Sequence, residues 1–363
     1  MSWERFEAGI RSSATLRLYQ NRMGAFLKFA ELTPDQFAKL PARKAEDAVM
    51  RYISHLKARV SRGEISPDTV HMSVAPIQLF SVMNRMKLEW KFVMKQAPTK
   101  RKYSSDRAPT IEEIRQMLQH APLRIRAAVL IMASGGLRVG AFQGMKVGDV
   151  IDLEGDAAKV LVYRGESEEY FTFITPEANK AFREYLNFRK AHGETITPES
   201  PVLRDAFDTR SGGHAKDVET LQSDSLERDI GRLWWKSGAR TQAKRRHEFK
   251  TVHGFRKFFK SRAEQAMKPI NVELLMGHDI GVSNSYYRPR ESEIFEDYKK
   301  AIPQLSIDES YRLKDEFAER ERQLRAEFQS ELNQRLAYVE SEVRALRMQK
   351  SVPVSPEAPP RSA

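Results

Sequence analysis

The sequence contains no cysteine, which excludes disulfide bonds and metal sites built on thiolates. Its eight histidines show neither the HExxH nor the His-x-His spacing of common metal sites, so we expect no metal and no other cofactor. No run of about 18 apolar residues occurs, so no membrane-spanning helix and no membrane partner are expected. The first residues do not read as a signal peptide either.

Positive charge is in excess: the formal net charge is +12 at pH 7 and the pI is near 9.7. The basic residues cluster at two places, Lys100-Arg101-Lys102 and Lys244-Arg245-Arg246. A basic chain with such clusters is typical of nucleic-acid binding, because phosphates attract Lys and Arg. An anionic membrane surface is the competing partner, but the lack of a run of about 18 apolar residues argues against it. We expect both clusters to contact DNA and the protein to be cytoplasmic and DNA-associated.

Apolar spacing and composition predict a mainly α protein with a small β-hairpin or sheet. We expect a helical domain over 1–97, a basic linker over 98–109, a second domain over 110–305, an amphipathic helix over 306–350 and a disordered tail over 351–363. The helical spacing in the first domain is compatible with a bundle of no stated role. In a basic protein it also suits a small bundle that clamps one face of a duplex.

The helix predicted over 124–134 ends at Gly135-Gly136, and Arg138 follows after Leu137. Glycines at a helix end allow a sharp turn, so we expect Arg138 on the far side of that turn. A buried arginine there would need an anionic partner. A structural carboxylate such as Asp149 is one candidate partner, and a bound anion is the other.

Alternating apolar residues over 159–174 predict a β-hairpin whose turn is Arg164-Gly165-Glu166-Ser167. The turn carries one cation, Arg164, and Lys159 lies at the start of the first strand. This hairpin follows the Arg138 turn closely in the chain.

The stretch 251–287 carries the densest set of candidate site residues: His253, Arg256, Gly277, His278, Tyr286 and Tyr287. His253 and Arg256 lie at i and i+3, so they share one face of a helix. Each element alone is more often structural than functional. Together, and in this order, they are the group types needed to hold a phosphodiester and attack it with a phenol.

The order of Arg138, a hairpin cation, His253, Arg256, His278 and a tyrosine resembles the tyrosine recombinase (phage-type integrase) superfamily, over roughly residues 1–305. The segments YRGESEEYFTFITPEA and GHDIGVSNSYYRP most resemble those of integrases of archaeal viruses and plasmids. The resemblance implies a helical core-binding domain followed by a catalytic domain.

The resemblance also implies roles. Arg138 and Arg256 would hold the non-bridging oxygens of the scissile phosphate, because a guanidinium binds two oxygens at once and stays charged. His253 would act as a general base or proton relay, and His278 would hydrogen-bond the phosphate or orient the nucleophile. The tyrosine would attack phosphorus and form a 3′-phosphotyrosine, with no metal and no ATP.

Members of the superfamily often carry the nucleophile nine residues after the Gly-His histidine, which selects Tyr287 and leaves Tyr286 as the alternative. Two positions depart from the family pattern. The hairpin turn has Arg164 where the family usually has a lysine general acid, so Lys159 and Arg164 both remain candidates. Ala141 also stands where a carboxylate often follows the first arginine.

We expect double-stranded DNA as the partner and a homo-oligomer, a tetramer on DNA. Apolar residues near the C-terminus are spaced 4, 3, 4, 3 like a coiled-coil seam, at Leu332, Leu336, Val339, Val343 and Leu346. A single helix that packs on its own chain is the rival interpretation. The alternatives for function are a type IB-like DNA topoisomerase and a non-catalytic DNA-binding protein of the same fold.

Overall fold

The computed structural model describes residues 1–99, 106–209, 218, 221–241, 248–281 and 286–350. The chain forms two compact units, Met1–Ser104 and Ser105–Ala363. Within the described ranges, no helix is both long and apolar enough to cross a membrane. The centre of the predicted linker, 100–105, and the predicted tail, 351–363, lie outside the described residues.

The first unit is helical throughout its described part. Its helices are α1 (Ser2–Ala8), α2 (Ser13–Ala30), α3 (Pro34–Ala38), α4 (Ala42–Ser61), α5 (Pro67–Met83) and α6 (Trp90–Val93). Hydroxyl caps fix several helix starts, because a side-chain oxygen accepts an otherwise unpaired backbone N–H. Thr33 forms a capping box with Gln36 before Pro34, and Ser66 caps α5 at Thr69.

Aromatic rings build the core of this unit. The Phe37 ring centroid lies 4.9 Å from that of Phe26 and 5.6 Å from that of Phe80. Tyr52 of α4 packs against Phe26 at 5.4 Å. All four side chains are buried, so helices α2 to α5 share one hydrophobic centre.

The second unit contains a larger helical body and a small sheet. Its elements are α7 (Ile111–Leu118), α8 (Leu123–Gly135), β1 (Val150–Asp152), β2 (Ala158–Val162), β3 (Tyr170–Ile174), α9 (Pro176–Ala191), α10 (Ser223–Lys236), α11 (His253–Ala263), α12 (Pro269–Leu275), α13 (Glu291–Lys299), α14 (Ile302–Leu305) and α15 (Glu309–Lys350). Helix α7 begins with the capping box of Thr110 and Glu113.

Helix α8 is the centre of the second unit. Every residue from Ala127 to Gly135 is buried, which is the pattern of a helix surrounded by protein on all sides. It packs against α9 on one side and α11 on another. The C-terminal end of α8 is therefore held rigidly, and the chain leaves the core there.

The predicted hairpin is confirmed as strands β2 and β3, which pair antiparallel from Ala158↔Ile174 to Val162↔Tyr170. The sheet also contains β1, which pairs antiparallel with β2 and was not predicted. Its three residues are too few to show an alternating pattern. The mainly α expectation with a small sheet is confirmed.

Helix α15 is a single helix of 42 residues. From Glu321 to Arg344 every side chain is exposed, including the apolar seam residues Leu336 and Val339. The rival interpretation, a helix packed on its own chain, finds no support between Glu321 and Arg344. Pairing of the seam into a coiled coil stays a prediction.

Candidate active site

The turn that ends α8 positions Arg138. Gly136 takes the left-handed conformation, with φ 65° and ψ 21°. A Cβ atom there would lie 2.4 Å from Cδ1 of Phe259, so the position requires glycine for two reasons. The turn leads the chain out of the core within two residues.

Arg138 is exposed, so the expectation of a buried arginine was wrong. The Gly136 turn carries its backbone to the surface, where water solvates the charge. Asp149 is not its partner, because that carboxylate accepts from Arg164, with 3.2 Å between Oδ1 and Nη1. Within the described residues Arg138 makes no ion pair.

Arg256 is buried at 4% exposure on α11. Its Nη1 donates to the Gly136 carbonyl and its Nη2 to the Met276 carbonyl, both at 2.5 Å. Burial and the nearby charge of Arg138 lower the pKa of Arg256. Because its carbonyl partners are neutral, its charge stays uncompensated, and an anion bound beside it would be stabilised.

His278 lies against Arg256, with 2.6 Å between Nε2 and Nη2. A guanidinium has only donors, so Nε2 of His278 must accept, and Nδ1 carries the proton. Nδ1 in turn donates to the Glu273 carboxylate, whose other oxygen accepts from Lys260. Burial raises the pKa of Glu273, but hydrogen bonds from Lys260 and His278 outweigh it and the net pKa is lowered.

Gly277 places His278. Its φ of 62° ends α12, its N–H donates to the Leu274 carbonyl, and the His278 N–H donates to the Glu273 carbonyl. These two bonds define a Schellman motif, which turns the chain back over the last helical turn. A Cβ on Gly277 would lie 2.5 Å from Cδ1 of Tyr170, so the hairpin closes tightly over this turn.

Arg138, Tyr170, Gly277 and His278 line a cleft of about 400 Å³. The rest of the lining is Glu168, Glu169, Leu274 and Asp279. Burial raises the pKa of Tyr170, although the charges of Arg256 and Arg138 oppose it. The cleft therefore brings Arg138 and His278 to one place, together with the hairpin carboxylates Glu168 and Glu169. Arg256 is not part of the lining and joins this group through its contact with His278.

His253 is the first residue of α11 and lies one helical turn before Arg256. Partial burial lowers the pKa of His253, and the charges of Lys250, Lys257 and Arg256 lower it further. The imidazole is therefore neutral at pH 7 and free to accept a proton.

Tyr287 is partly buried, and its hydroxyl donates to Oδ1 of Asn271 at 2.8 Å. Asn271 is itself held by the Asp297 carboxylate, 2.8 Å from Nδ2. Tyr287 is not part of the cleft lining. Tyr286 is 85% exposed.

The hairpin cations face other partners. Nζ of Lys159 lies 2.5 Å from Oε2 of Glu291 and 5.1 Å from the Phe171 ring centroid. Arg164 is paired with Asp149. Neither cation belongs to the cleft lining.

The basic clusters Lys100-Arg101-Lys102 and Lys244-Arg245-Arg246 lie outside the described residues. Among the residues that are described, no group of three or more His, Asp or Glu side chains is arranged to hold a metal ion.

Sequence reasoning did not select Glu273, Asn271 or Tyr170, which contact or cover the candidate residues. The Gly277 turn is the signal that could have found Glu273, since a Schellman motif brings the residue after the glycine back beside a residue five positions earlier. The other two contacts join segments distant in sequence and carry no local pattern.

Residues 107–293, just over half of the chain, match the model of the Phage integrase family. The chain belongs to the phage integrase family. No curated protein sequence is significantly similar to it.

Several solved structures share the fold. A lambda integrase dimer bound to a COC′ core site is 16% identical, with a TM-score of 0.54, and the match covers 79% of this chain and 76% of that one. A lambda integrase tetramer bound to a Holliday junction has the same identity and coverage, with a TM-score of 0.51. The Tn1549 transposon integrase in complex with transposon right end DNA is 14% identical, with a TM-score of 0.52 and coverage of 80% and 94%.

Proposed function

We propose that this chain is a site-specific DNA recombinase that cleaves and rejoins strands through a covalent 3′-phosphotyrosine. The observation that carries the proposal is the cleft, a space large enough for one phosphate that Arg138 and His278 line, with the buried Arg256 in contact with His278. Family membership supports a protein of the tyrosine recombinase kind. Arg256 is buried against two neutral carbonyls and the ring nitrogen of His278, so its charge is available to an anion.

In this proposal Arg138 and Arg256 hold the two non-bridging phosphate oxygens. Arg256 supplies a preorganised charge, because its position is fixed by two helix-end carbonyls. Arg138 is solvated before DNA binds and supplies charge that follows the substrate. His253, neutral at pH 7, accepts a proton, and His278, whose Nε2 accepts from Nη2 of Arg256, holds that guanidinium in place for the phosphate.

Tyr287 is the proposed nucleophile and Tyr286 the alternative. The Tyr287 hydroxyl must leave Asn271 before it can attack phosphorus. One neutral hydrogen bond is worth about 0.5–1.5 kcal/mol net, which is small beside the energy of DNA binding. Tyr286 needs no such release, since it is exposed.

The proton donor for the leaving 5′-oxygen remains Lys159 or Arg164. Lys159 is the better proton donor, because arginine stays protonated above about pH 12. Its present bond to Glu291 lies at the surface end of α13 and would have to be exchanged for the DNA. Arg164 would act through charge alone.

Similar structures include complexes with DNA core sites and a tetramer on a Holliday junction. We extend this to double-stranded DNA as the partner of this chain and a tetramer as its working assembly. The exposed seam of α15 supports pairing between protomers, as a coiled coil would give. The domain roles, a core-binding domain over 1–97 and a catalytic domain over 110–305, belong to the same proposal.

The proposal also includes an origin in an archaeal virus or plasmid, which rests on the resemblance of two sequence segments. It further includes a cytoplasmic, DNA-associated location. The attachment site would be found as a repeat flanking the gene, because an integrated element leaves repeated ends.

The test uses a nicked suicide duplex that carries this repeat. A nick next to the scissile phosphate lets the short fragment that carries the released 5′-hydroxyl diffuse away, so the covalent adduct accumulates and is resolved by denaturing gel electrophoresis. The native chain is expected to form the adduct. Tyr287→Phe is expected to abolish it, and Tyr286→Phe, the matched control on the adjacent residue, is expected to retain it.

Other outcomes separate the alternatives. An adduct lost in Tyr286→Phe and kept in Tyr287→Phe would assign the other nucleophile. Relaxation of supercoiled DNA without any product that joins two sites would indicate a type IB-like topoisomerase. Binding without an adduct from the native chain would indicate a DNA-binding protein and overturn the proposal.

A further inference from the structure

The hydrogen bonds around His278 extend away from the cleft to the carboxylate of Glu273. The resemblance to the family did not point to this residue. Nδ1 of His278 donates to Oε2 of Glu273, and Oε1 of Glu273 accepts from Lys260. The side chains of His278 and Glu273 are 35% and 28% exposed, so water competes with this bond only in part. The bond joins two residues that are five positions apart.

Local backbone geometry enforces the contact. Glu273 is the third residue from the end of α12, Gly277 is the left-handed residue after the helix, and His278 follows it. In a Schellman motif these first and last positions meet side by side, usually as two apolar side chains. Here the pair is a carboxylate and an imidazole, so the motif carries a hydrogen bond in place of an apolar contact.

The bond determines which nitrogen of His278 faces the cleft. With the proton on Nδ1 held by Glu273, Nε2 is directed at Arg256. Without the carboxylate, the ring would be free to rotate or to change tautomer, and Nε2 could carry the proton that clashes with the guanidinium donors. Lys260 also contacts Glu264, at 3.1 Å, so its charge is shared between two carboxylates.

We propose that Glu273 is the positioning residue for His278: it fixes the tautomer and ring orientation with which Nε2 of His278 accepts from Arg256 and so holds that guanidinium for the scissile phosphate. This inference rests on the proposed recombinase function. It does not make Glu273 a catalytic residue, because Glu273 touches neither the phosphate nor the tyrosine and acts only through His278.

The kinetic test compares Glu273→Ala with Glu264→Ala, a matched control that removes the other carboxylate at Lys260. Adduct formation on the nicked duplex is measured in single turnover at saturating DNA. Glu273→Ala is expected to slow it by about 10- to 100-fold, the cost seen when a metal-binding histidine loses the carboxylate that orients it. Its DNA dissociation constant should change less than about twofold, and Glu264→Ala should cleave like the native chain.

A double-mutant cycle separates positioning from a structural role. If Glu273 acts through His278, then Glu273→Ala should add no further loss in the His278→Gln background. Losses that multiply would overturn the proposal. Glu273→Gln, which keeps an acceptor oxygen at the same place, should recover most of the rate, and failure to do so while the variant melts like the native chain would also overturn it.

A second readout does not depend on activity. Histidine ¹⁵N spectra distinguish the two tautomers, and the His278 signals are assigned by their loss in His278→Gln. The native chain should show protonated Nδ1, and Glu273→Ala should shift toward protonated Nε2. An unchanged tautomer in Glu273→Ala refutes the positioning role. Correct tautomers in a chain that forms no adduct would refute the recombinase function and leave the positioning contact intact.

Discussion

Replacing Gly136 by alanine should test how the end of α8 holds the site together. The substitution has two separable costs. A left-handed backbone with φ 65° costs a non-glycine residue about 1–2 kcal/mol. The new Cβ would also stand 2.4 Å from Cδ1 of Phe259, a fully buried ring that cannot swing aside, and such overpacking costs about 1–3 kcal/mol. Together they predict a loss of about 2–5 kcal/mol in the free energy of unfolding.

Two glycines of the same unit serve as controls. Gly155 has φ 70° with nothing within 4 Å of a built Cβ, so Gly155→Ala should show the backbone cost alone. Gly144 has a φ of −111° and equally open surroundings, so Gly144→Ala should be close to neutral. The difference in the free energy of unfolding between Gly136→Ala and Gly155→Ala isolates the clash with Phe259.

Unfolding is followed in urea by tryptophan fluorescence. The fully buried Trp234 reports on the second unit, and replacing Trp3 and Trp90 by Phe silences the first unit. The order expected is Gly136→Ala least stable, then Gly155→Ala, then Gly144→Ala. If Gly136→Ala costs no more than Gly155→Ala, the close approach to Phe259 does not constrain the turn and the reasoning is wrong.

The same variant should cleave DNA more slowly than its stability loss explains. The Gly136 carbonyl accepts from Arg256, and the ring of Phe259 would push the turn away. A displaced guanidinium loses orientation toward the phosphate, and a shift of about 1 Å can cost on the order of 100-fold. Single-turnover adduct formation under conditions where the variant is fully folded measures this loss.

Two further predictions concern charge and assembly. The Lys257 charge lowers the pKa of His253 from its ordinary value of 6.5, and Lys257 also pairs with Asp106, whose charge raises that pKa. Lys257→Met should therefore raise the pKa of His253, so that the imidazole is protonated, and no longer accepts a proton, at a higher pH. The acid limb of the pH profile for adduct formation should therefore move upward, and an unmoved limb would count against His253 as the base. Leu336→Glu should weaken self-association in sedimentation velocity, because it places a charge in the exposed seam, whereas Gln334→Glu should leave it unchanged. Equal sedimentation of the two variants would remove the seam from the assembly.

Local patterns carried much of the fold. Capping at Thr110 and Ser66, the apolar run of α8 and the alternation around the hairpin are decided by near neighbours in the chain, so they are legible in sequence. Strand β1 was not predicted because three residues show no period, and its backbone pairs with β2, a segment that local pattern does not link to it.

The site was legible in part. The glycine pair predicted that Arg138 follows a turn, but not that the left-handed Gly136 carries it to the surface. The partner of Asp149 could not be predicted either, because the competing Arg164 reaches it through the fold of the hairpin. Contacts that depend on where two distant segments meet leave no local trace, as with Asn271 and Tyr287.

The bond between Tyr287 and Asn271 has a consequence for the chain when no DNA is bound. The phenol hydrogen is engaged, Asn271 is itself anchored by Asp297, and Tyr287 is not part of the cleft that Arg138 and His278 line. The residues proposed to bind the phosphate and the tyrosine proposed to attack it are thus held apart. If Tyr287 is the nucleophile, a phosphodiester that enters the cleft meets positive charge but no attacking hydroxyl. The chain then cleaves DNA only when binding of a correct site moves Tyr287 to the cleft.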